Sequence, residues 1–486
     1  MTLRVYNYLS RELERFRPSE SDVVSLYVCG PTVHDHAHLG HARTYVSMDA
    51  VVRYLRIRGY RVRHVRSFID VGRTLTTGED RLVRAAHREG MTPIELAETC
   101  TRGFEDDMDA LRVLRPTISP RATGHIPEAI VWVKDLVESG YAYEVDGSVY
   151  FSVDSFPSVG KLSRRMVGMS AAGSAGAALG PKRNVADFPL WRRAELGRTL
   201  AWPSPWGDGY PEWHSACAVM AHKCLGDTFD IHGGGIEGVH AHGDCELALS
   251  EAHNGVPPAS YWLLVGALRV DGTRMSKSRG NHLTIEDALK LYSPEALRCY
   301  VLSSHYRNSL EFSREALRGA QRGANLLYQA ARRLRRAMQS SLSLAGTATA
   351  ALSNVTSLEG YRADFRDAMD DDFDTPRALG VIFALVKEID RVLAGGGNVS
   401  VGTLSAMDKL LRDLAGDALA VLPDSTMRST SGEIVEDLVD YLLALRDECN
   451  DQRDRERADA IYRRLTDLGV AVDDGPSETT WHLKVR

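Results

Sequence analysis

Two short polar stretches carry residue types suited to phosphate chemistry. His38-Leu39-Gly40-His41 lies between a short apolar run and a helical pattern. A helix N-terminus there offers unpaired N–H groups and the positive end of its dipole. The two imidazoles can add donors to a triphosphate, and Gly40 lets a nucleotide approach the backbone closely. Much later, Arg274-Met275-Ser276-Lys277-Ser278 runs into Arg279-Gly280-Asn281. With Arg274, Lys277 and the hydroxyls of Ser276 and Ser278, this loop can clamp a triphosphate. It would supply charge where a departing pyrophosphate develops it. Each stretch alone has a plainer reading, as a pair of surface histidines at a helix start or as a solvated basic turn.

These residues need a scaffold, and the flanking patterns predict one. Residues 23–28, VVSLYV, read as a buried strand ending at Cys29-Gly30. ARTYVSMDAVVRYLRIRG reads as a helix that stops at Gly59, and RVRHVRSFI as a second strand. Strand, helix, strand opens a doubly wound parallel sheet, with ligand chemistry expected in the loop after the first strand. Residues 93–139 read as mostly helical, and Tyr141–Val153 as a hairpin turning at Asp146-Gly147. Met169–Gly180, rich in Gly, Ala and Ser, reads as a mobile surface loop. From Trp202 to about Arg279 the chain reads as sheet-like and Gly-rich. From Pro294 to about Leu422 it reads as helical, and from about Ser431 as one long charged helix with a short β-like tail.

Three further segments narrow the possibilities: Tyr27-Val28-Cys29-Gly30-Pro31-Thr32, Trp213-His214-Ser215-Ala216-Cys217, and Phe229-Asp230-Ile231-His232-Gly233-Gly234-Gly235 running on to His242 and Glu246. With the two phosphate motifs, similar to the HIGH and KMSKS signatures of class I aminoacyl-tRNA synthetases, they make the chain resemble the cysteinyl-tRNA synthetases. Lys182-Arg183-Asn184, Asp187-Phe188-Pro189-Leu190-Trp191, Ser304-His305-Tyr306-Arg307 and Met369-Asp370-Asp371-Asp372-Phe373-Asp374-Thr375-Pro376 extend the resemblance over essentially the whole chain.

The resemblance implies a Rossmann-type α/β catalytic domain over residues 1–318, with an insertion near 113–205 and the mobile loop near 260–285. A helical bundle over 319–425 and a small anticodon-binding-like domain over 426–486 would follow. It implies ATP with Mg2+ as substrate and one zinc ion per chain, held by Cys29, Cys217, His242 and Glu246. Thiolate, imidazole and carboxylate are chemically sensible zinc donors, and His242 and Glu246 are spaced i, i+4, which a helix would place on one face. His38, His41 and Lys277 would stabilise the triphosphate. Thr32, Ser67, Ile69, Trp213, Ile236 and Glu237 would line the amino-acid pocket. Cysteine or an analogue, ATP and tRNA(Cys) are the implied partners of a monomer.

Several positions depart from the family pattern. Ser67 and Ile69 stand where an Asn and a Thr are usual, Ile236-Glu237 where Ser-Asp is usual, and Ala241-His242-Gly243-Asp244-Cys245-Glu246 where Pro-His-His-Glu-Asn-Glu is usual. Arg274 replaces a Lys, and Asn450 to Arg455 lacks the aromatic that stacks on the anticodon. These changes favour a specialised role over simple drift. The rival readings are a ligase joining cysteine to a small amine, and an inactive RNA-binding homologue.

Composition fits an enzyme of this kind. Over 486 residues the chain is 44% hydrophobic and 26% charged, with net charge −6, so an RNA partner would need local basic patches. Seven cysteines, an odd number, do not suggest a disulfide framework. With no apolar run long enough to span a bilayer and no apolar leader, a cytoplasmic protein without membrane contact is expected.

Overall fold

The strand Val23–Val28 is apolar at almost every position, and it is buried because it has neighbours on both sides. It pairs in parallel with Arg61–Arg66 on one edge and with Phe229–Gly235 on the other. Ala259–Val265 adds a fourth parallel strand beyond Phe229–Gly235. The chain crosses from one side of the sheet to the other between its two central strands. In open α/β sheets ligands bind outside the carboxyl ends of the strands at such a switch point. Cys29, Ser67 and Gly235 all stand at those ends.

This computed structural model describes residues 2–72, 80–156, 158–164, 181–270, 272–275, 282–343, 358–395, 399–423, 430–451, 454–474 and 479–483. Met169–Gly180 and the positions Ser276, Lys277 and Ser278 lie outside the described residues. Two compact units divide the chain. One comprises Met1–Met275, His305–Leu310 and Met369–Phe373; the other comprises Ser276–Ser304, Glu311–Ala368 and Asp374–Arg486.

In the first unit the helix Leu39–Ile57 packs on the parallel sheet and ends before Gly59, whose φ of +93° suits glycine alone. Arg43, buried on this helix, donates to the carbonyls of His305, Tyr306 and Asn308. Asp370 accepts from Tyr54 and Arg58, and Asp372 from the Tyr6 amide, Tyr306 and Arg307. The Ser-His-Tyr-Arg and Met-Asp-Asp-Asp stretches are therefore structural clamps. Ala142–Val145, Ser148–Phe151, Phe188–Arg193 and Gly209–Pro211 form an antiparallel sheet, with the expected turn at Asp146 and Gly147.

Two expectations need correction. The stretch from Trp202 to Arg279 is not continuously sheet-like: helices Trp213–Leu225 and Asp244–Asn254 interrupt it. The first is buried without a break from His214 to Ala221, so it shows no amphipathic period to read. In the second unit, the last block holds two helices rather than one, Thr430–Asp451 and Arg455–Asp467. The hairpin Val470–Asp474 with Thr479–Leu483 follows them. The break comes at Asp454, whose carboxylate caps the second helix through the Arg457 amide. Elsewhere in this unit Pro294–Leu302, Arg314–Ser343, Thr375–Ala394 and Val401–Leu411 are helices, as the sequence predicts.

Among the described residues no helix is long and apolar enough to cross a membrane.

One buried polar group should make the first unit sensitive to acid. His64 lies on the strand Arg61–Arg66, is buried, and neither ring nitrogen has a hydrogen-bond partner. Burial, with Arg66 beside it, lowers its pKa to about 3. A folded pKa below the unfolded value of about 6.5 means the unfolded chain binds the extra proton. Stability is therefore full above pH 6.5 and is lost as pH falls toward 3. His64→Leu should raise the urea midpoint at pH 5 and reduce proton uptake on unfolding between pH 6 and 4 by about one. Urea titrations over that range measure both; an unchanged pH slope would show that His64 is not a source of acid sensitivity.

Candidate metal centre and nucleotide site

The helix Leu39–Ile57 begins with its own two histidines. His38 is the N-cap, its Nδ1 accepting from the Gly40 amide at 3.0 Å, while His41 Nδ1 accepts from the His38 amide at 3.2 Å. An imidazole nitrogen that accepts carries no hydrogen, so each neutral ring bears its proton on Nε2. The rings lie 4.1 Å apart. Gly40 also makes room for the cap itself: a Cβ there would fall 2.7 Å from His38 Cε1 and 2.9 Å from Nδ1 and would push the ring aside. The His38 ring folds over the one residue that leaves room for it.

The strand ends bring distant donors together. Cys29 Sγ lies 3.2 Å from His242 Nε2 and 3.6 Å from Glu246 Oε2, and His242 Nε2 lies 3.2 Å from Glu246 Oε2. Cys217, at the buried start of its helix, completes a close group with Cys29 and His242. His242 sits in the π-helical turn Val239–Gly243, and Glu246 in the first turn of Asp244–Asn254. The i, i+4 spacing thus brings imidazole and carboxylate to one point although the backbone between them widens. Trp213 stacks on the His242 ring at 4.0 Å.

Sequence reasoning missed His232. Its Nε2 is 3.1 Å from Glu246 Oε2 and 3.8 Å from Cys29 Sγ, and its ring stacks on Trp262 at 4.0 Å. The available signal was position, since His232 leads into the glycines at the carboxyl end of a central strand. Among the described residues the close donor groups are Cys29–Cys217–His242 and Cys29–His232–Glu246. His222, Cys224, His240 and Cys245 belong to neither.

The electrostatics divide the protons. Burial pushes the Cys217 thiol up, but its hydrogen bond with Cys29 and the charge of His242 outweigh this and hold it low. Cys29 is pushed well up, by its hydrogen bond with Cys217 and by burial. Burial would lower His242, yet the Cys217 and Glu246 charges raise it. Glu246 is lowered despite burial, by His232 and His242. Without a metal, then, these neighbours favour the thiolate at Cys217, the carboxylate at Glu246, the protonated ring at His242 and the neutral thiol at Cys29.

Of the remaining pocket candidates, Thr32, Ser67 and Ile69 lie on two adjoining segments. Ser67 is fully buried and hydrogen-bonded to Tyr27 and Gly30. Ile69 packs in the main core, while its backbone bridges to Thr32. Ile236 is half-buried against that core, and Glu237 is exposed on the same short 3-10 turn. Arg274 lies in a strand paired with Leu268–Val270.

A parallel sheet with a histidine-capped helix and a buried thiol–imidazole–carboxylate cluster at its switch point fits the resemblance to class I tRNA synthetases, and comparison with known proteins shows that class. The fold is similar to Mycobacterium tuberculosis methionyl-tRNA synthetase bound by methionyl-adenylate, with a TM-score of 0.62 at 15% identity, covering 85% of this chain and 96% of that one. It is also similar to the LeuRS of an Agrobacterium radiobacter K84 ternary complex, with a TM-score of 0.59 at 13% identity over 84% and 85%. A family model described as the tRNA synthetases class I (C) catalytic domain matches residues 15–322, and a DALR domain model matches 364–422. Cysteine–tRNA ligase of Chlorobium chlorochromatii is 41% identical over all of both chains, and that of a Thermus thermophilus strain is 39% identical, again over all of both. The chain belongs to the cysteine–tRNA ligase family.

Proposed function

We propose that the protein activates cysteine with ATP and Mg2+ to the adenylate and then transfers the cysteinyl group to tRNA(Cys), as a cytoplasmic monomer. The observation that carries this reading is the buried donor cluster beside the histidine-capped helix, in a chain matching its relatives over their full length. The amino-acid carboxylate attacks the ATP α-phosphorus and pyrophosphate leaves. His38, His41 and Lys277 stabilise the triphosphate, with Gly40, Arg274, Ser276 and Ser278 around it. The layout over residues 1–318, 319–425 and 426–486 would serve activation, support and tRNA reading respectively. The C-terminal helices and hairpin favour tRNA over a small amine as acceptor.

Zinc fits the donors present. Zinc bonds of about 2.0–2.3 Å in a tetrahedron place ligand atoms roughly 3.3–3.8 Å apart, and the measured separations among Cys29, His242 and Glu246 run from 3.2 to 3.6 Å. Cys29, Cys217, His242 and Glu246 would hold the ion, and His232 would orient the Glu246 carboxylate from outside. When bound, zinc supplies a site where a substrate thiolate binds far better than a hydroxyl, which separates cysteine from serine. Trp213 fixes the ring of His242 and walls the pocket.

Elemental analysis of chelator-washed protein should find about one zinc per chain. ATP–pyrophosphate exchange across an amino-acid panel should respond to cysteine, and tRNA(Cys) should be charged. Exchange with cysteine but no charging would move the acceptor to another amine; no exchange with any amino acid would sink the enzymatic reading.

A further inference from the structure

Ser67 is fully buried, and its hydroxyl has three neighbours. Tyr27 Oη donates to Ser67 Oγ at 2.8 Å, the Gly30 amide donates to it at 3.3 Å, and Cys217 Sγ lies 3.9 Å away. A hydroxyl offers two lone pairs and one hydrogen. Tyr27 and Gly30 occupy both lone pairs, so the hydrogen of Ser67 is left for the sulfur. That distance is within the longer reach sulfur acceptors allow.

The two donors cannot swing away. Tyr27 is fully buried, its ring held 5.5 Å from His232 and 6.1 Å from Phe229. At Gly30 a Cβ would fall 1.3 Å from the Ser67 carbonyl oxygen, so the two backbones are in direct contact. Next to them the Ile69 amide donates to Pro31 and the Val33 amide to Ile69. These bonds tie the segment that carries Cys29 to the one that carries Ser67.

We propose that Tyr27 and Ser67 are positioning residues of the metal centre: Ser67 Oγ–H donates to Cys217 Sγ, in an orientation imposed by Tyr27 and Gly30. The inference rests on the reading of Cys217 as a metal ligand. A metal-bound thiolate is a hydrogen-bond acceptor with spare lone pairs, and a donor on it fixes the sulfur's direction and withdraws charge from the metal–sulfur bond. Outer-shell partners of this kind typically account for a 10–100-fold effect on metal affinity.

The test is competition of the full chain against a chromophoric chelator for zinc, repeated with Co(II) to read the sulfur-to-cobalt charge-transfer band. Ser67→Ala should weaken zinc about 10–100-fold and shift that band. Tyr27→Phe, which keeps the ring, should shift both in the same direction by less, because it frees the hydroxyl to rotate. Melting of the metal-free Ser67→Ala protein alongside the unaltered one separates lost packing from lost coordination. If Ser67→Ala does not fold, Tyr27→Phe decides alone. Zinc affinities within about twofold of the unaltered chain, with the band in place, would overturn the proposal. An unaltered chain that binds no zinc would overturn the metal reading first, before any variant is compared.

Discussion

Cys217→Ser protein should lose its zinc and, with it, the preference for cysteine over serine. Cys217 sits in the interior with Cys29 and His242 around it, and a serine there would keep the shape while removing the thiolate. A serine hydroxyl stays protonated at neutral pH and is a poor zinc donor. It would also remove one of the two negative charges that hold the proton on His242, leaving that of Glu246. The loss should exceed the roughly 10–100-fold typical of an outer-shell change, because a direct ligand is removed. Zinc content by elemental analysis and cysteine-dependent ATP–pyrophosphate exchange should fall together. Affinity for zinc in the unaltered chain should rise with pH, because binding must expel the Cys29 proton and the extra proton on His242. If Cys217→Ser keeps its metal, or if the metal-free protein still prefers cysteine to serine, the cluster is not the selectivity device.

How much of this site can be read from the sequence depends on how local its causes are. The first strand, the helix to Gly59 and the hairpin at Asp146-Gly147 follow from short-range pattern and turn chemistry. The convergence of Cys29, Cys217 and His242 does not, since it depends on parallel pairing between Val23–Val28 and Phe229–Gly235. Only the family resemblance reaches it. The helix Trp213–Leu225 is hidden because it is buried along most of its length. His232 escapes because a histidine inside an apolar strand reads as core, and its role comes from Glu246 arriving from a different helix. In the sequence alone, the resemblance implies only that Ser67 lines the amino-acid pocket. In three dimensions the hydroxyl is enclosed between Tyr27, Gly30 and Cys217.

Lys277→Ala should slow adenylate formation by a factor of about 100–1,000 while leaving the KM for cysteine nearly unchanged, since removing one preorganised donor from developing charge has that size of effect. Lys277 lies outside the described residues, but the approach to it is firmly placed. Arg269 pairs with Arg274 and Val270 with Thr273, and the buried Met275 donates its amide to Leu268. In the proposed role the Lys277 ammonium would meet the most negative charge when the bond to the α-phosphorus breaks and pyrophosphate carries the electrons away. An interaction that strengthens in that way acts on kcat more than on ground-state binding. Arg274→Lys, which keeps one positive charge, should stay within a few-fold of the unaltered chain. Pre-steady-state measurement of adenylate formation over a range of ATP concentrations separates the cases. Normal activation at saturating ATP, with only a raised KM for ATP, would make Lys277 a binding residue and remove it from the chemical step.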